Sequence, residues 1–418
     1  MKNKGLKGIL LILVISVLVC SMTSSSILMG AGGDWDTTTT VEVDGTRTEQ
    51  TPSGDIIVNG DSINNDITIE VQGGDLSAAA NEALRSVVSV YCDYGITGGA
   101  GGAGIIYEIN AEGDAFIITN YHVVYNSKLN TPNKICNKIS VYLYGMESSE
   151  YAIPATYVGG SMNYDIAVLR VENNAVLRMA YQNGTAKNVK IADSDKVTVG
   201  QRTLAIGNPT LGGISVSAGV ISVDSENINV QVADDKSAVT LRVMRTDTAV
   251  NSGNSGGGFF NDKGELIGIV NAKAASSEIE NIGYAIPSNV ARGIADNIID
   301  YCFGKSCETV MRGILGIGVR ASELYTRYDT ETGRLVKMEK VIVDSVSDGG
   351  LGASILQKND VVKSITIGGK TVEVTRTYHL IDAMLDARVG ETVYFTIERG
   401  GQEKTVSAII TISCLVAY

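Results

Sequence analysis

The residues best suited to chemistry lie in and before a glycine-rich segment, Asn251–Gly257, which reads Asn-Ser-Gly-Asn-Ser-Gly-Gly. Its second serine, Ser255, is followed by two glycines, a pattern that exposes a hydroxyl group and lets backbone N–H groups face a substrate oxygen. His122, one of only two histidines in the chain, and Asp165 come earlier in the sequence. The order histidine, aspartate, serine is one of the known orders of a serine-protease triad.

These residue types have complementary roles in acyl transfer. A serine hydroxyl is a weak nucleophile until a base removes its proton, and neutral imidazole is a base that works near pH 7. His122 is therefore the predicted base for Ser255, and Asp165 is predicted to orient the imidazole and to stabilise its charged form. The backbone N–H groups predicted to form the oxyanion hole belong to Gly253, Asn254 and Ser255.

The segments that must position these residues are short, rich in β-branched residues and separated by glycine turns, which predicts strands. Six such segments lie between residues 86 and 171, and seven lie between residues 188 and 286, beginning with Asn188–Ile191. Many short strands with little helix indicate a sandwich or barrel, and two groups of about six indicate two barrels. A helix is predicted at Pro287–Tyr301, where apolar residues recur at helical spacing.

The last hundred residues have the size of a small independent domain, with five predicted strands and helical stretches at Leu351–Leu356 and Tyr378–Leu385. Residues 31–75, rich in Thr, Asn, Asp and Gly, are predicted to be a flexible tether. The predicted divisions are 1–30 (signal or membrane anchor), 31–75 (tether), 76–300 (protease domain), 301–312 (linker), 313–411 (C-terminal domain) and 412–418 (tail).

The N-terminus has the pattern of an export signal. Lys2, Lys4 and Lys7 precede an apolar run, Gly8–Val19, as in a basic n-region followed by an apolar h-region. The strict run is shorter than the ~20 residues of a membrane span, although counting on to Met29 makes a span feasible. The prediction is an extracytoplasmic protein, anchored in the cell membrane by residues 1–30 or secreted after their cleavage.

Charge and cysteine content exclude several classes of function. The net charge of −12 argues against a nucleic-acid partner. Two histidines and no Cys-x-x-Cys pair make a structural zinc site unexpected, and no cofactor is predicted. Two cysteine pairs are candidate disulfides in an oxidising compartment, the alternative being that all are small buried apolar residues. The candidate pairs are Cys302 with Cys307 and Cys92 with Cys136.

With these residues in view, the chain resembles the HtrA (Deg) family of trypsin-like serine proteases. The family's histidine and aspartate motifs are matched by Thr119–Val124 and Asp165–Leu169, and Thr246–Asn251 leads into the serine motif in the family's manner. Ala205–Pro209 and Gly283–Pro287 resemble two further family segments. The resemblance covers about residues 84–411, and it implies a mostly β chain with a chymotrypsin-like double β-barrel followed by a PDZ domain.

The chain departs from the family pattern at several positions. Ser252 stands where the family usually has proline, and Gly258-Phe259 stands where it usually has Pro-Leu. These changes are expected to loosen the oxyanion loop slightly and to alter packing beneath the serine strand, without removing a catalytic atom. The family resemblance also implies a homotrimer, but residues 76–88 contain none of the aromatic residues through which the family usually trimerises.

The resemblance further implies two substrate-binding regions. In the PDZ domain, a carboxylate-binding loop is expected to capture C-terminal peptides through Ile314, Leu315, Gly316 and Ile317, with the peptide added as a strand. In the protease domain, the pocket for the residue before the scissile bond is expected to favour a small or medium aliphatic side chain. The predicted lining of that pocket is Ala249, Val250, Asn251, Val270, Asn271, Ala272 and Lys273.

These observations predict an extracytoplasmic serine endopeptidase that cleaves unfolded or damaged proteins, as in protein quality control. The alternative from another class is a non-catalytic peptide-binding or chaperone protein on a protease fold, and the presence of all three triad residues argues against it. A lipid or ester hydrolase of the α/β type is disfavoured, because its triad order is serine, acid, histidine.

Overall fold

The structure is a computed structural model of the chain, and it describes residues 76–95, 98–131, 133–272, 282–302, 310–330 and 332–417, together with the backbone of four short strands before residue 70. The chain divides into two units, Met1–Gly73 and Gly74–Tyr418. The predicted anchor, residues 1–30, lies outside the described residues. Within the described part of the chain, no helix has both the length and the apolar character needed to cross a membrane.

The first unit contains an antiparallel sheet whose strand order follows the sequence. Its strands are β1 (Thr39–Val43), β2 (Thr46–Gln50), β3 (Ile56–Asn59) and β4 (Ile67–Ile69). The sequence analysis predicted a flexible segment here and missed these strands. Polar threonine-rich stretches resemble linkers in composition, yet threonine also has a high β propensity. The role of residues 31–75 as a tether stays a prediction.

The second unit begins with helix α1 (Leu76–Leu84) and a closed six-stranded barrel with strand order β10-β7-β6-β5-β8-β9. The strands are β5 (Val87–Asp93), β6 (Gly99–Ile109), β7 (Ala115–Thr119), β8 (Ile139–Leu143), β9 (Ile153–Ser161) and β10 (Ile166–Val171). A four-residue helix, α2 (Tyr121–Val124), follows β7, and α3 (Ala175–Gln182) follows β10. All six predicted segments of this barrel are strands.

A second closed barrel has the strand order β11-β12-β13-β16-β15-β14. Its strands are β11 (Arg202–Gly207), β12 (Ser215–Gln231), β13 (Ala238–Thr246), β14 (Gly258–Asn261), β15 (Leu266–Val270) and β16 (Gly283–Pro287). The predicted strand at Asn188–Ile191 was wrong. This segment connects the barrels, with Val189 donating to Ile106 and Ile191 forming one isolated bridge to Leu266, so it joins no ladder.

The departure at Gly258 has a packing reason. A Cβ atom at this position would lie 2.1 Å from Cε2 of Phe260, so the Phe260 ring occupies the space that a larger residue would need. Phe259 and Phe260 are both fully buried. The serine strand therefore packs with two phenylalanines and a glycine.

The C-terminal part of the second unit is reached through helix α4 (Ser288–Cys302), as predicted apart from a shift of one residue. Its elements are β17 (Met311–Gly313), β18 (Ile317–Asp329), β19 (Arg334–Val346), β20 (Val361–Ile367), β21 (Lys370–Glu373), α5 (Tyr378–Ala383), β22 (Thr392–Arg399), β23 (Gln402–Ile409) and β24 (Leu415–Ala417). The main sheet has the order β18-β19-β20-β22-β23, with β21 beside β20, and among the described strands β18 pairs only with β19, so that its other edge is open. The mostly β class, with a double barrel and a following domain, is confirmed.

Part of the predicted linker and part of the predicted tail form a two-stranded sheet. Strand β17, from the end of the linker, pairs with β24, from the tail. The buried side chain of Asn297 on α4 exchanges two hydrogen bonds with the backbone of Met311, at 2.7 and 2.9 Å. The chain end is thereby attached to the entrance of the C-terminal domain, a long-range pairing for which neither segment carries a local signal.

A buried ionic cluster joins the second barrel to the C-terminal domain. The guanidinium group of Arg242 on β13 pairs with the Asp382 carboxylate on α5, lies 3.6 Å from Asp195 Oδ1 and stacks on the Tyr378 ring at 4.1 Å from its centroid. Only 10% of the Arg242 side chain and 13% of the Asp382 side chain are exposed. Burial raises the pKa of Asp382 to about 6, and the positive charge of Arg242 opposes that shift.

Candidate active site

The three predicted triad residues lie at the ends of strands from both barrels. His122 is on α2, directly after β7, and Asp165 immediately precedes β10, the neighbour of β7 in the first barrel. Ser255 lies in the segment between β13 and β14 of the second barrel. Adjacent antiparallel strands bring the histidine and the aspartate together, whereas the serine must reach them across the contact between the barrels.

The aspartate holds the histidine at two points. Asp165 Oδ2 lies 2.7 Å from His122 Nδ1, and Asp165 Oδ1 accepts a hydrogen bond of 3.0 Å from the His122 backbone N–H. Asp165 has a φ angle of +54°, in the left-handed region that aspartate tolerates better than most residues. The carboxylate therefore constrains the imidazole ring and its backbone together and favours the tautomer with a proton on Nδ1.

Two asparagines complete this arrangement, and the sequence analysis did not assign their roles. The Asn271 side-chain amide donates to Asp165 Oδ2 at 3.0 Å. The fully buried Asn120 donates to the Asp165 carbonyl at 2.8 Å and accepts from the Gly256 backbone N–H at 2.7 Å. Asn120 precedes His122 by two residues in the quoted histidine motif, which was the available signal. For Asn271, a pocket residue by prediction, no local signal indicated contact with Asp165.

The serine loop is bound to both barrels. The Ser255 carbonyl accepts from Ala103 of the first barrel at 2.8 Å, and Ser255 Oγ accepts from the Ala272 backbone N–H at 3.3 Å. Because Asn271 contacts Asp165 and Ala272 contacts Ser255, one dipeptide links Asp165 to Ser255. Among the described residues no hydrogen bond joins Ser255 to His122. In free enzymes such catalytic hydrogen bonds are often long and shorten when substrate binds.

The backbone around Ser255 has the conformation that its glycines allow. Gly253 and Gly256 have φ angles of +97° and +80°, and a Cβ atom on Gly253 would lie 2.2 Å from the Asn208 carbonyl oxygen. The Asn254 N–H donates to Asn251 at 3.0 Å, so this predicted oxyanion donor is used within the turn. Within the described part of the chain, the N–H groups of Gly253 and Ser255 have no such intramolecular acceptor.

Six of the seven residues predicted to line the substrate pocket are among the described residues. Ala249 and Val250 lead toward the serine loop, and the Ala249 carbonyl accepts from Ser217 Oγ at 2.8 Å. Val270 pairs through its backbone with Gly256 and Gly257. The Asn271 side chain is directed to Asp165 instead, and Asn251 supplies the turn carbonyl described above. Lys273 lies outside the described residues.

The predicted carboxylate loop of the C-terminal domain has its carbonyl groups turned inward. The carbonyls of Ile314, Leu315 and Gly316 accept hydrogen bonds of 2.7–3.0 Å from Leu351, Gly352 and Ser347. The Ile314 N–H donates to Cys414, so it is already used, whereas no described residue accepts from the N–H groups of Leu315 and Gly316. Gly316 has a φ of +66°, and its Cβ would lie 2.6 Å from Gly350 Cα. Ile317 then opens β18, the edge strand.

Comparison with known proteins agrees with this architecture. A model of the trypsin-like peptidase domain matches residues 102–269, and a PDZ domain model matches residues 313–410. Serine protease Do-like HtrB of Bacillus subtilis (strain 168) is 31% identical over 320 residues, covering 74% of this chain and 62% of that protein. Serine protease Do-like HtrA of Lactococcus lactis subsp. lactis (strain IL1403) is 30% identical over 315 residues, or 73% of this chain and 69% of that protein.

A third relative is known by a more descriptive name. The periplasmic pH-dependent serine endoprotease DegQ of Escherichia coli (strain K12) is 34% identical over 218 residues, which are 52% of this chain and 40% of that protein. The chain thus spans 62% of the length of the Bacillus subtilis relative and less of the Escherichia coli one. The two family models each match one domain, the peptidase domain and the PDZ domain.

Proposed function

Because the chain belongs to the HtrA family of trypsin-like serine proteases, we propose that it is a serine endopeptidase with Ser255, His122 and Asp165 as its triad. The observation that carries this proposal is the hydrogen-bonded path from Ser255 through Ala272 and Asn271 to Asp165, and from Asp165 to His122 Nδ1 at 2.7 Å. His122 is hydrogen-bonded to Asp165, Asp165 to Asn271 as well, and Ser255 to the Ala272 backbone N–H.

The geometry supports the following mechanism. With a proton on Nδ1, bonded to Asp165, the His122 imidazole presents an unprotonated Nε2 as the base. The Ser255 hydroxyl gives its proton to Nε2 as its oxygen attacks the peptide carbonyl, and His122 then donates this proton to the leaving amine. Asp165 stays ionised throughout and stabilises the transient imidazolium. Asn271 and Asn120 act as positioning residues for Asp165.

The developing oxyanion needs donors, and we assign two. These are the backbone N–H groups of Gly253 and Ser255, because the third predicted donor, Asn254, is hydrogen-bonded to Asn251. An oxyanion-hole donor typically contributes about 3 kcal/mol to transition-state stabilisation. The positive φ of Gly253 orients its N–H, so a side chain at this position should cost activity through the backbone and not through any lost functional group.

The proposed substrates are unfolded or damaged polypeptides. An extended segment is needed for the scissile bond to reach Ser255, and a folded domain rarely presents one. Ala249, Val250 and Ala272, which are exposed or half-buried, supply small apolar groups beside the serine loop, and this favours a small or medium aliphatic residue before the cleaved bond. Such residues are buried in folded proteins and become accessible on unfolding.

The proposed location is extracytoplasmic. The basic and apolar pattern of residues 1–30 supports export, and the Escherichia coli relative is by its name periplasmic. Retention of these residues as an anchor and their cleavage remain the two alternatives, and N-terminal sequencing of the native protein distinguishes them. A homotrimer, which the family resemblance implies, is to be checked by the mass of the purified protein in solution.

The proposed activity is tested by incubating the purified protein with a reduced, unfolded protein and reading the cleavage sites by mass spectrometry. Cleavage after small or medium aliphatic residues, together with covalent labelling of Ser255 by a fluorophosphonate probe, is the expected result. Binding of the unfolded protein without cleavage and without labelling would instead favour the non-catalytic chaperone alternative. The folded form of the same substrate, with its disulfides intact, serves as the control and should be cleaved far more slowly.

The C-terminal domain is proposed to bind the C-terminal ends of extended chains with apolar last residues. The N–H groups of Leu315 and Gly316 point to the side opposite the hydrogen-bonded carbonyls of this loop, and a terminal carboxylate there can accept hydrogen bonds from them. The open edge of β18 can form backbone hydrogen bonds with the rest of the peptide. We expect a free-acid peptide to bind with micromolar affinity, about −8 kcal/mol. Amidation of the same peptide should weaken binding at least tenfold, as measured by titration against the whole protein.

The matched variant is Gly316→Val, which combines a disfavoured φ with a close approach to Gly350 and should weaken binding of the free-acid peptide. Gly390, whose φ is +91° and whose Cβ would meet no atom within 4 Å, offers a control substitution with a similar backbone cost. Equal affinity for acid and amide peptides would mean that this domain does not recognise chain ends.

A further inference from the structure

Two thiols lie directly behind the segment that carries His122. Cys92, on β5, donates from its Sγ to the Val123 carbonyl at 3.4 Å, and Cys136 donates from its backbone N–H to the next carbonyl, that of Val124, at 2.8 Å. The two cysteines thus contact consecutive carbonyl groups of α2, the helix that contains the proposed catalytic base. Neither cysteine takes part in the proposed chemistry.

The two side chains also lie in the same part of the barrel wall. Cys136 Sγ contacts the carbonyl oxygens of Asp93 at 3.5 Å and Lys138 at 3.3 Å, and Asp93 follows Cys92 in the chain. Both cysteines are buried, with 0% and 3% of their surface exposed, and both are free thiols in this structure. Cys92 Sγ and the Cys136 backbone border consecutive carbonyl groups of α2, and Cys136 Sγ lies beside the residue that follows Cys92. A disulfide can join two cysteines placed in this way when their Cα atoms come within about 4.4–6.8 Å of each other.

We propose that Cys92 and Cys136 form a disulfide when the chain folds in an oxidising compartment, and that this bond fastens the His122 helix to the first strand of the barrel. Strand β5 is held on both sides, by β6 and β8, and Cys92 is paired with Ile139 of β8. Cys136 closes the loop that leaves α2, in which Tyr125 bridges to Ile135. A cross-link at this point joins a rigid strand to the base of the loop.

The bond forms by thiol–disulfide exchange with a disulfide oxidant such as oxidised glutathione. As the loop that carries Cys136 packs against β5 during folding, the neighbouring Cys92 thiol lowers the pKa of the Cys136 thiol, which favours Cys136 as the attacking thiolate. Its sulfur attacks the oxidant, forming a mixed disulfide and releasing one glutathione thiolate. Cys92, after losing its proton to solvent, attacks the Cys136 sulfur and releases the second. Two protein thiols are oxidised, and one oxidant disulfide is reduced to two thiols.

Burial decides when this exchange can occur. In the folded chain the two sulfurs are shielded from a tripeptide oxidant, so the bond should form quickly during folding and slowly afterwards. Hydrogen bonding and burial raise the pKa of Cys92, which is consistent with its being the second, internal nucleophile. Once formed, the bond is protected from reducing agents by the same burial.

The test is to unfold and refold the full-length protein with mixed oxidised and reduced glutathione, and to digest it without reduction. The expected product is a cross-linked peptide pair containing Cys92 and Cys136, whose mass is lower by two hydrogens and which separates on reduction. The oxidised protein should unfold about 5–10 °C higher than the reduced protein, because the cross-link closes a long loop. The Ser255→Ala protein should form the bond equally well, since no catalytic step is involved.

Matched variants separate this bond from general thiol chemistry. The Cys92→Ala/Cys136→Ala double variant should lose the difference in melting temperature between oxidising and reducing conditions. The Cys414→Ala variant should keep it, because Cys414 is a buried cysteine of the C-terminal domain. The inference is overturned if Cys92 and Cys136 in refolded wild-type protein remain free for alkylation, or pair only with glutathione or with other cysteines.

Discussion

Replacing Ser255 with alanine should lower the turnover of an unfolded substrate by four to six orders of magnitude, about the loss seen when a triad nucleophile is removed. The hydroxyl is the proposed attacking group, and neither glycine nor asparagine beside it offers a substitute. The fold should survive, because Ser255 Oγ accepts a single weak hydrogen bond of 3.3 Å from Ala272, whose loss costs about 1 kcal/mol or less. The measurement is the initial rate of cleavage by purified variant and wild type.

Two comparisons make this result specific. Ser237, an exposed serine in the turn between β12 and β13, has its hydroxyl bonded to Asp234, and its replacement with alanine should leave the rate within a few-fold of wild type. The circular dichroism and the melting temperature of the Ser255→Ala protein should match those of wild type. If the purified Ser255→Ala protein cleaved the substrate at the wild-type rate, the assignment of Ser255 as the nucleophile would be wrong.

Replacing Arg242 with methionine should destabilise the protein by about 3–5 kcal/mol at neutral pH, the cost of leaving buried charges without their partner. Arg242 is the cation that the Asp382 carboxylate pairs with across the contact between the second barrel and the C-terminal domain. Its removal leaves Asp382 and Asp195 close together without the positive charge that separates them. Urea denaturation at pH 8 measures the effect.

The pH dependence of this loss follows from Asp382. Its folded-state pKa, raised by burial to about 6, exceeds the unfolded value near ~3.9, so the stability linked to its protonation is complete at low pH and is lost as the pH rises. Without Arg242 the folded pKa should rise further. The destabilisation should therefore be largest at pH 8 and smaller at pH 5, where Asp382 is more often protonated and neutral.

Arg245 provides the matched control for this prediction. It lies on the same strand, and its guanidinium is 3.3 Å from Glu226 Oε1, but its side chain is 36% exposed. The Arg245→Met variant should lose less than about 1 kcal/mol, because exposed ion pairs contribute little. If the two variants lost the same free energy of unfolding, burial of Arg242 at the contact between the domains would not be the cause of its destabilisation.

Much of the barrel architecture was predictable because its signal is local. Strands buried on one or both faces need runs of β-branched residues, and closed barrels need many of them at short intervals, so six segments between residues 86 and 171 were placed correctly. Asn188–Ile191 alternates polar and β-branched residues as a strand does, but it was placed wrongly. A short alternating segment can bury its β-branched side chains by lying across a barrel as easily as by joining its sheet.

The pairing of distant segments was not predictable in this way. Strand β24 pairs with β17, which lies about a hundred residues earlier, and Asn297 binds the backbone of Met311 in β17. Both strands are only three residues long, too short to show a periodic pattern of apolar residues. The cluster of Arg242, Asp195 and Asp382 likewise draws one charged residue from each of three distant parts of the chain. In the sequence, each of these residues resembles an ordinary solvated charge.

The sequence alone determined which residues could form the triad, because His122, Asp165 and Ser255 each lie in a short contiguous motif. In each motif the adjacent residues fix the local backbone that positions the candidate side chain. Only the tertiary structure decided how those motifs are held: the Asn271 side chain donates a hydrogen bond to Asp165, and the Asn254 N–H, predicted to face an oxyanion, donates to Asn251 within the turn. The reason is physical. An amide or N–H group can serve any acceptor within about 3 Å, and which acceptor is that close depends on the packing of the two barrels.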